Sequence, residues 1–104
     1  MAKASAVSIS LQSMCELAWV LERRYETSRA DIAAAIRQLL ETRGVIANRP
    51  AAMAGLAILE AGGDFADGII AYDGQWMGAE TFVSFDRKAV RLLEAAGTPA
   101  RLLK

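Results

Sequence analysis

The sequence predicts an α/β domain in which short parallel strands alternate with helices. Apolar residues recur at helical spacing in five stretches, and short apolar runs such as residues 7–9 and 81–83 stand between some of them. Such alternation favours a mostly parallel sheet with helices on both faces. Because 104 residues, 54% of them hydrophobic, suffice for one small core, a single domain is expected to span residues 1–104.

The first two helices have recognisable starts. Ser10 is placed to cap the first, which is expected to extend to about Arg24. Ser28 stands three residues before Asp31, the spacing of a capping box, and so begins the second helix, which Gly44 ends. The residues expected to face the core are Leu11, Met14, Ala18 and Leu21 in the first helix and Ile32, Ile36, Leu39 and Leu40 in the second.

The second half of the chain continues the alternation. Pro50 near a first turn predicts a third helix, which Gly62 and Gly63 end. Asp64 then caps a fourth helix, and a fifth follows Asp86. Further strands are expected at 45–47, 81–83 and 101–103, and the core-facing residues at Phe65, Ile69, Tyr72, Trp76, Val90, Leu92 and Leu93.

Composition excludes several classes of site. The chain has no histidine, which excludes a His–Zn site, a Ser–His triad and an imidazole base. Cys15 is the single cysteine, so no intrachain disulfide forms, which fits a reducing cytoplasm. The net charge is zero, so any nucleic-acid surface must be local. Without a long apolar run or a signal peptide, a cytoplasmic protein with no membrane segment is expected.

Acidic residues are concentrated between Pro50 and Asp86, a stretch without lysine or arginine. Carboxylates without basic neighbours either face water or meet a cation, and on charge alone a solvated face is the more common interpretation. The six acids of this stretch are Glu60, Asp64, Asp67, Asp73, Glu80 and Asp86.

Position within the predicted elements singles out some of these acids. Asp64 and Asp67 are three residues apart in the first turn of a helix, where the dipole favours negative charge, although both could simply be capping residues. The face that bears Asp67 also carries Gly68 and Ala71, two small residues that would allow the close approach of a neighbouring element. Asp86 follows an apolar strand, where α/β sheets bind ligands, but it could equally be a helix-start acid, with Ser84 as an alternative cap.

Glu16 is the remaining candidate. It has no lysine or arginine three or four residues on, where Trp19 and Val20 stand, and Trp19 itself is expected to belong to the core. Glu16, Asp67 and Asp86 all lie near strand-to-helix junctions, so they are expected to converge in the fold. Three gathered carboxylates would hold Mg²⁺ or Mn²⁺, which can activate water and stabilise charge on a phosphate.

Three segments together resemble the PIN-domain ribonuclease toxins of the VapC type. Residues 16–21 (ELAWVL) are similar to the family's second acidic motif, 64–67 (DFAD) to its third, and 81–88 (TFVSFDRK) to its fourth. Their order and spacing agree, and the resemblance covers nearly the whole chain from about Ala6. The family opens with a strand ending in Asp-Thr-Asn or similar, and this chain contains no such motif.

The resemblance implies a three-layer PIN-like fold whose first strand is missing. It also implies a metal-dependent endoribonuclease, the toxin of a toxin–antitoxin pair, with Glu16, Asp67 and Asp86 as metal ligands and Asp64 in support. The implied partners are RNA, a cognate antitoxin and a second copy of the chain. An alternative is a catalytically impaired remnant that binds an antitoxin or itself. The residues that could contact RNA phosphates are Arg87, Lys88, Arg91, Arg101 and Lys104.

The missing strand would lie between residues 7–9 and 81–83. Without it, those two strands are expected either to pair directly or to leave edges that another chain covers. Met14, Ile69 and Ile70 are the side chains expected to lose a neighbour.

Overall fold

A computed structural model of the chain describes residues 6–76, 81–84 and 86–103, without the side chains of Gln75, Trp76 and Phe82. Short strands are separated by one or two helices, which confirms the α/β class. Among these helices none is both long and apolar enough to cross a bilayer. The strands are β1 (Val7–Ser8), β2 (Val45–Ile46), β3 (Phe82–Ser84) and β4 (Ala100–Leu102), and the helices are α1 (Leu11–Arg23), α2 (Arg29–Glu41), α3 (Arg49–Glu60), α4 (Phe65–Trp76) and α5 (Arg87–Ala95).

The described strands form two separate two-stranded sheets. β1 pairs with β2, Val7 opposite Val45, and β3 pairs with β4, Val83 opposite Arg101, both in parallel. Parallel pairing is therefore confirmed, whereas the expected single sheet is present as two pairs. β1 and β3 do not pair with each other, so each has a lateral edge with no strand beside it among the described residues.

Side-chain caps fix the helix starts. Ser10 and Ser28 each accept a hydrogen bond from the backbone N–H three residues on, at 3.0 and 3.1 Å, as their spacing predicts. Asn48 caps α3 in the same way at 3.1 Å, a role the sequence analysis does not assign, and Pro50 follows in the first turn.

The main core lies between α1, α2, α3 and α4. Its largest fully buried side chains are Met14, Ile36, Leu56 and Phe65. The expectation that Met14 and Ile69 would lack neighbours is wrong, because both are buried, while Ile70 is exposed as expected.

The expectation that Trp19 belongs to the core is wrong. Its side chain is 54% exposed, whereas Ala18 beside it is buried. Successive helical residues are rotated by about 100°, so a residue next to the buried stripe can lie well outside it.

Two glycines allow α3 and α4 to cross at backbone contact. A Cβ atom at Gly68 would stand 2.6 Å from the Ala54 carbonyl oxygen, and one at Gly55 would stand 2.7 Å from the Phe65 ring. The close approach predicted beside Asp67 is therefore confirmed, and it fixes the position of the first turn of α4.

The turn between α3 and α4 packs on α5 in a similar way. A Cβ atom at Gly63 would lie 2.7 Å from a methyl group of Leu92 and 2.8 Å from one of Ile58. Gly62 has a φ of +106°, a conformation that side chains disfavour. This tight turn holds the start of α4 beside the start of α5, where the candidate acids lie.

Candidate acidic site

A cavity of about 350 Å³ opens between α1, the start of α2, the α3–α4 turn and the start of α5. Its walls include the buried side chains of Ile32 and Phe65, so it is a depression in the main core rather than a separate crevice. Besides Phe65, the charged and aromatic residues that line it are Trp19, Glu22, Arg23, Arg29, Asp64, Asp67, Asp86 and Lys88.

Asp67 is a carboxylate of the cavity whose pKa departs from its ordinary value. It is half-buried, and its pKa is raised first by burial and then by the negative charges of Asp64 and Asp86. Its side chain accepts no hydrogen bond and forms no ion pair within the described part of the chain. Within the part of the chain that the structure describes, no hydrogen bond or ion pair therefore compensates the charge of this carboxylate.

Asp64 and Asp86 act as capping residues, which is the alternative role that the sequence predicts for them. The Oδ1 atom of Asp64 accepts from the Ala66 N–H at 3.1 Å, and that of Asp86 accepts from the N–H groups of Lys88 and Ala89 at 2.9 and 3.3 Å. The Ser84 hydroxyl accepts from the Asp86 N–H at 2.9 Å. Capping uses one oxygen of each carboxylate, and the second oxygen accepts no hydrogen bond from the described residues.

The structure thus brings Asp64, Asp67 and Asp86 to one cavity, but it does not bring Glu16 there. Glu16 is exposed on α1 and does not line the cavity. Burial, and then the negative charge of Asp64, raise the pKa of the thiol of the neighbouring Cys15, which does not line the cavity either. The described residues contain no cluster of three or more acidic, histidine or cysteine side chains already arranged around an ion position.

The other acids of the 50–86 stretch fit the solvated-face interpretation where they are described. Glu60 forms an ion pair with Arg37, and the hydrogen bond that the Arg37 guanidinium donates within this pair lowers the pKa of the Glu60 carboxyl. Asp73 is exposed on α4. Glu80 lies outside the described residues.

Of the expected phosphate-binding residues, Lys88 lines the cavity. Its ammonium nitrogen reaches across to Gly62, 4.0 Å from the position that a Cβ atom would take there. The others described, Arg87, Arg91 and Arg101, are exposed and do not line the cavity. Lys104 lies outside the described residues.

Several lining residues are not predicted as site residues from the sequence, namely Trp19, which is expected in the core, Glu22, Arg23 and Arg29. Glu22 follows Ala18 by four residues and so extends the buried stripe of α1, a pattern that could have identified it. Nothing in local spacing could have identified Arg29, because the folding of α2 against α1 places it there. The Arg23 guanidinium carbon lies 5.9 Å from the centre of the Trp19 ring.

Searches of protein-family models, curated proteins and solved structures found no match to this chain.

Proposed function

We propose that this chain is a Mg²⁺- or Mn²⁺-dependent endoribonuclease of the PIN-domain type. The observation that carries the proposal is that Asp64, Asp67 and Asp86 line one cavity without an ion pair to any described lysine or arginine. The resemblance of residues 16–21, 64–67 and 81–88 to the acidic motifs of the VapC toxins supports the same chemistry.

The donor set fits a hard divalent cation. Carboxylate oxygens are the ligands that Mg²⁺ and Mn²⁺ prefer. Asp64 and Asp86 each retain one oxygen that no described group engages, and Asp67 has both. A cation at this wall would offset the mutual repulsion that raises the pKa of Asp67.

When bound, such an ion would supply an activated water and stabilise charge developing on the scissile phosphate. The chain's own residues hold and orient the reactants. Asp64, Asp67 and Asp86 provide the negative wall, while Lys88, Arg23 and Arg29 on the same cavity attract the RNA backbone. The resemblance gives one of the three ligand positions to Glu16, and in the proposed site Asp64 takes that position.

The resemblance extends the proposal to architecture and partners. We propose that the two parallel strand pairs and their helices correspond to a three-layer PIN-like arrangement. The chain would then be the toxin of a toxin–antitoxin pair, with a cognate antitoxin as protein partner and the cytoplasm as its location.

The proposal is tested by incubating the chain with end-labelled RNA in Mg²⁺, in Mn²⁺ and in EDTA. Weak cleavage is expected with either cation and none in EDTA. Cleavage that persists in EDTA after removal of bound metal would contradict the metal-dependent mechanism.

A second candidate function, self-association, is favoured by the apolar surface around the strands. Among the described strands, β1 and β3 each have an open edge, and an open edge next to apolar side chains is a template for pairing with another chain. The exposed apolar residues in and beside the strands and on α4 are Val7 (52%), Ile46 (58%), Ile70 (58%), Val83 (48%) and Leu103 (43%). We propose a second copy of the chain as the partner that covers them.

Light scattering is expected to give a dimer or larger species at micromolar concentration, against a chain mass of 11.2 kDa. Val83→Lys should shift that species towards monomer, because a lysine on an edge strand disfavours pairing. Met53→Lys is the matched control, since Met53 is also 48% exposed but lies on α3. A wild-type monomer, or equal effects of the two variants, would contradict self-association through the strands.

A further inference from the structure

Trp19 is a large aromatic side chain placed at a charged cavity instead of in the core. It lines the same cavity as Asp64, Asp67 and Asp86, and 54% of it is exposed. Leaving this much apolar surface in water forgoes burial that would stabilise the fold, because burial is favourable in proportion to apolar area. The neighbouring Ala18 is buried, so α1 presents the indole ring to the cavity rim and not to the core.

The surroundings of the ring define the chemistry of a ligand. Arg23 places its guanidinium carbon 5.9 Å from the ring centre, within cation–π range. Arg29 and Lys88 line the same cavity, so two further cations share it with the ring and with the carboxylates of Glu22, Asp64, Asp67 and Asp86. A ligand that satisfies both features has flat aromatic groups linked by negative charges.

We propose that Trp19 is a stacking platform for an unpaired nucleobase, with Arg23 contacting an adjacent phosphate, so that the site takes single-stranded RNA. The choice of RNA rests on the proposed function. The strand would pass from the Trp19–Arg23 pair towards Lys88, which brings a phosphate next to the three carboxylates that would hold the ion.

Preference for a single strand follows from the geometry of stacking. In a duplex each internal base is already stacked on its neighbours along the helix, so only the two terminal pairs offer a free face to an indole ring. An unpaired base offers its face to an aromatic side chain, and any of the four bases can do so. The platform therefore selects strandedness and tolerates variation in sequence.

Fluorescence anisotropy tests the proposal, using a 3′-labelled mixed-sequence RNA and the same RNA annealed to its complement, both in EDTA. The wild-type chain is expected to bind the single strand more tightly than the duplex. Trp19→Ala should weaken single-strand binding by about 5- to 150-fold, the range that base stacking on an aromatic side chain supplies, and should leave duplex binding nearly unchanged.

Two further variants separate stacking from other roles of the residue. Trp19→Phe keeps an aromatic face and should retain most of the affinity. Tyr25→Ala removes an aromatic side chain that is 71% exposed but does not line the cavity, and should have no effect. Quenching of intrinsic fluorescence by the single strand should be present in the wild-type chain and much reduced in Trp19→Phe.

Several outcomes would overturn the proposal. These are a wild-type chain that binds neither RNA, a Trp19→Ala variant with unchanged affinity, and a variant that loses single-strand and duplex binding equally. A change in oligomeric mass on Trp19→Ala would instead place Trp19 between two copies of the chain, which also overturns it. Because the assay contains no metal, absent cleavage in Mn²⁺ would refute the proposed function and leave this result standing.

Discussion

Asp67→Asn is expected to abolish metal-dependent RNA cleavage and, at the same time, to make the metal-free chain more stable. Asparagine has nearly the shape of aspartate, so the substitution removes charge and little else. Opposite effects on activity and stability are expected where a fold holds uncompensated charge for a function.

The loss of activity follows from the role proposed for the carboxylate. Asp67 is half-buried and lies near both Asp64 and Asp86, so it is the central member of the acidic site. A metal ion supplies several kcal/mol of transition-state stabilisation, so a site that no longer holds the ion should lose roughly 10²- to 10⁴-fold in rate. The rate of RNA cleavage in Mn²⁺, measured for both chains, checks this.

The gain in stability follows from the sign of the pKa shift. Because the pKa of Asp67 is raised in the folded chain, ionisation of this carboxyl is harder in the folded state than in the unfolded state. Its charge therefore lowers stability as the pH rises through the titration range of Asp67. Removing the i, i+3 repulsion with Asp64, worth roughly 0.2–0.5 kcal/mol, should raise the metal-free Tm by about 1–4 °C at neutral pH and hardly at all below the titration range of Asp67.

Metal binding should reverse this order of stability. A ligand present at about 100 times its Kd stabilises the folded state by about 2.7 kcal/mol, which corresponds to an increase of roughly 10–20 °C in the Tm of a domain of this size. The wild-type chain should show such an increase in Mn²⁺, and Asp67→Asn should show little. Differential scanning fluorimetry with and without Mn²⁺ measures both effects in one experiment.

Two control substitutions sharpen the result. Asp73→Asn removes an exposed carboxylate from the same helix, away from the cavity, and should change neither activity nor the response to Mn²⁺. Glu16→Gln tests the ligand that the resemblance implies, and its effect should be much smaller than that of Asp67→Asn. If Asp67→Asn keeps the Mn²⁺ response of the wild type, the carboxylates of this cavity do not bind the ion.

The helix boundaries could be predicted because short-range chemistry determines them. Ser10, Ser28 and Asp86 cap helices that begin where their spacing indicates, since each cap bonds to a backbone N–H only two or three residues away. Strand pairing is different, because partners such as Val7 and Val45 are distant in the chain. The division into two strand pairs therefore could not be read from local patterns.

The candidate site could likewise be predicted only in part, where short-range chemistry determines it. Asp64, Asp67 and Asp86 could be identified because Asp64 and Asp67 lie at the start of α4 and Asp86 lies at the start of α5, and the tight α3–α4 turn places these two helix starts side by side. The contribution of α1 depends on how that helix is rotated about its axis. The actual rotation turns Trp19 towards the cavity rim and leaves Glu16 outside it, and a buried stripe alone defines that rotation only to within a residue or so.

Gly68→Ala is expected to lower the stability of the chain by about 1–3 kcal/mol and its Tm by about 5–20 °C. Intrinsic helix propensity predicts the opposite sign, because alanine is favoured over glycine by about 0.8–1.0 kcal/mol in a helix interior. Packing should outweigh propensity here. The new Cβ atom would lie 2.6 Å from the Ala54 carbonyl oxygen and 2.8 Å from the Gly55 Cα atom, and both neighbours are backbone atoms of α3 that cannot rotate away.

Thermal or urea unfolding of the variant provides the measurement. Ala34→Gly on the exposed side of α2 reports the propensity term alone and should cost about 1 kcal/mol. A Gly68→Ala variant that is more stable than the wild type would show that α3 and α4 can separate without loss, and would contradict the backbone-level contact.

A double substitution identifies the contact as the cause. Gly55→Ala introduces a Cβ atom into the same crossing from α3, 2.7 Å from the Phe65 ring, and should also destabilise the chain. If one substitution forces the two helices apart, the separation also makes space for the second Cβ atom. The double variant should therefore lose less stability than the sum of the two single losses.

The separation would also displace Asp67, which is covalently next to Gly68, relative to Asp86 at the start of α5. Mn²⁺ affinity should therefore fall in Gly68→Ala although no carboxylate is altered, whereas Ala34→Gly, with its loss of stability far from the crossing, should bind Mn²⁺ as the wild type does.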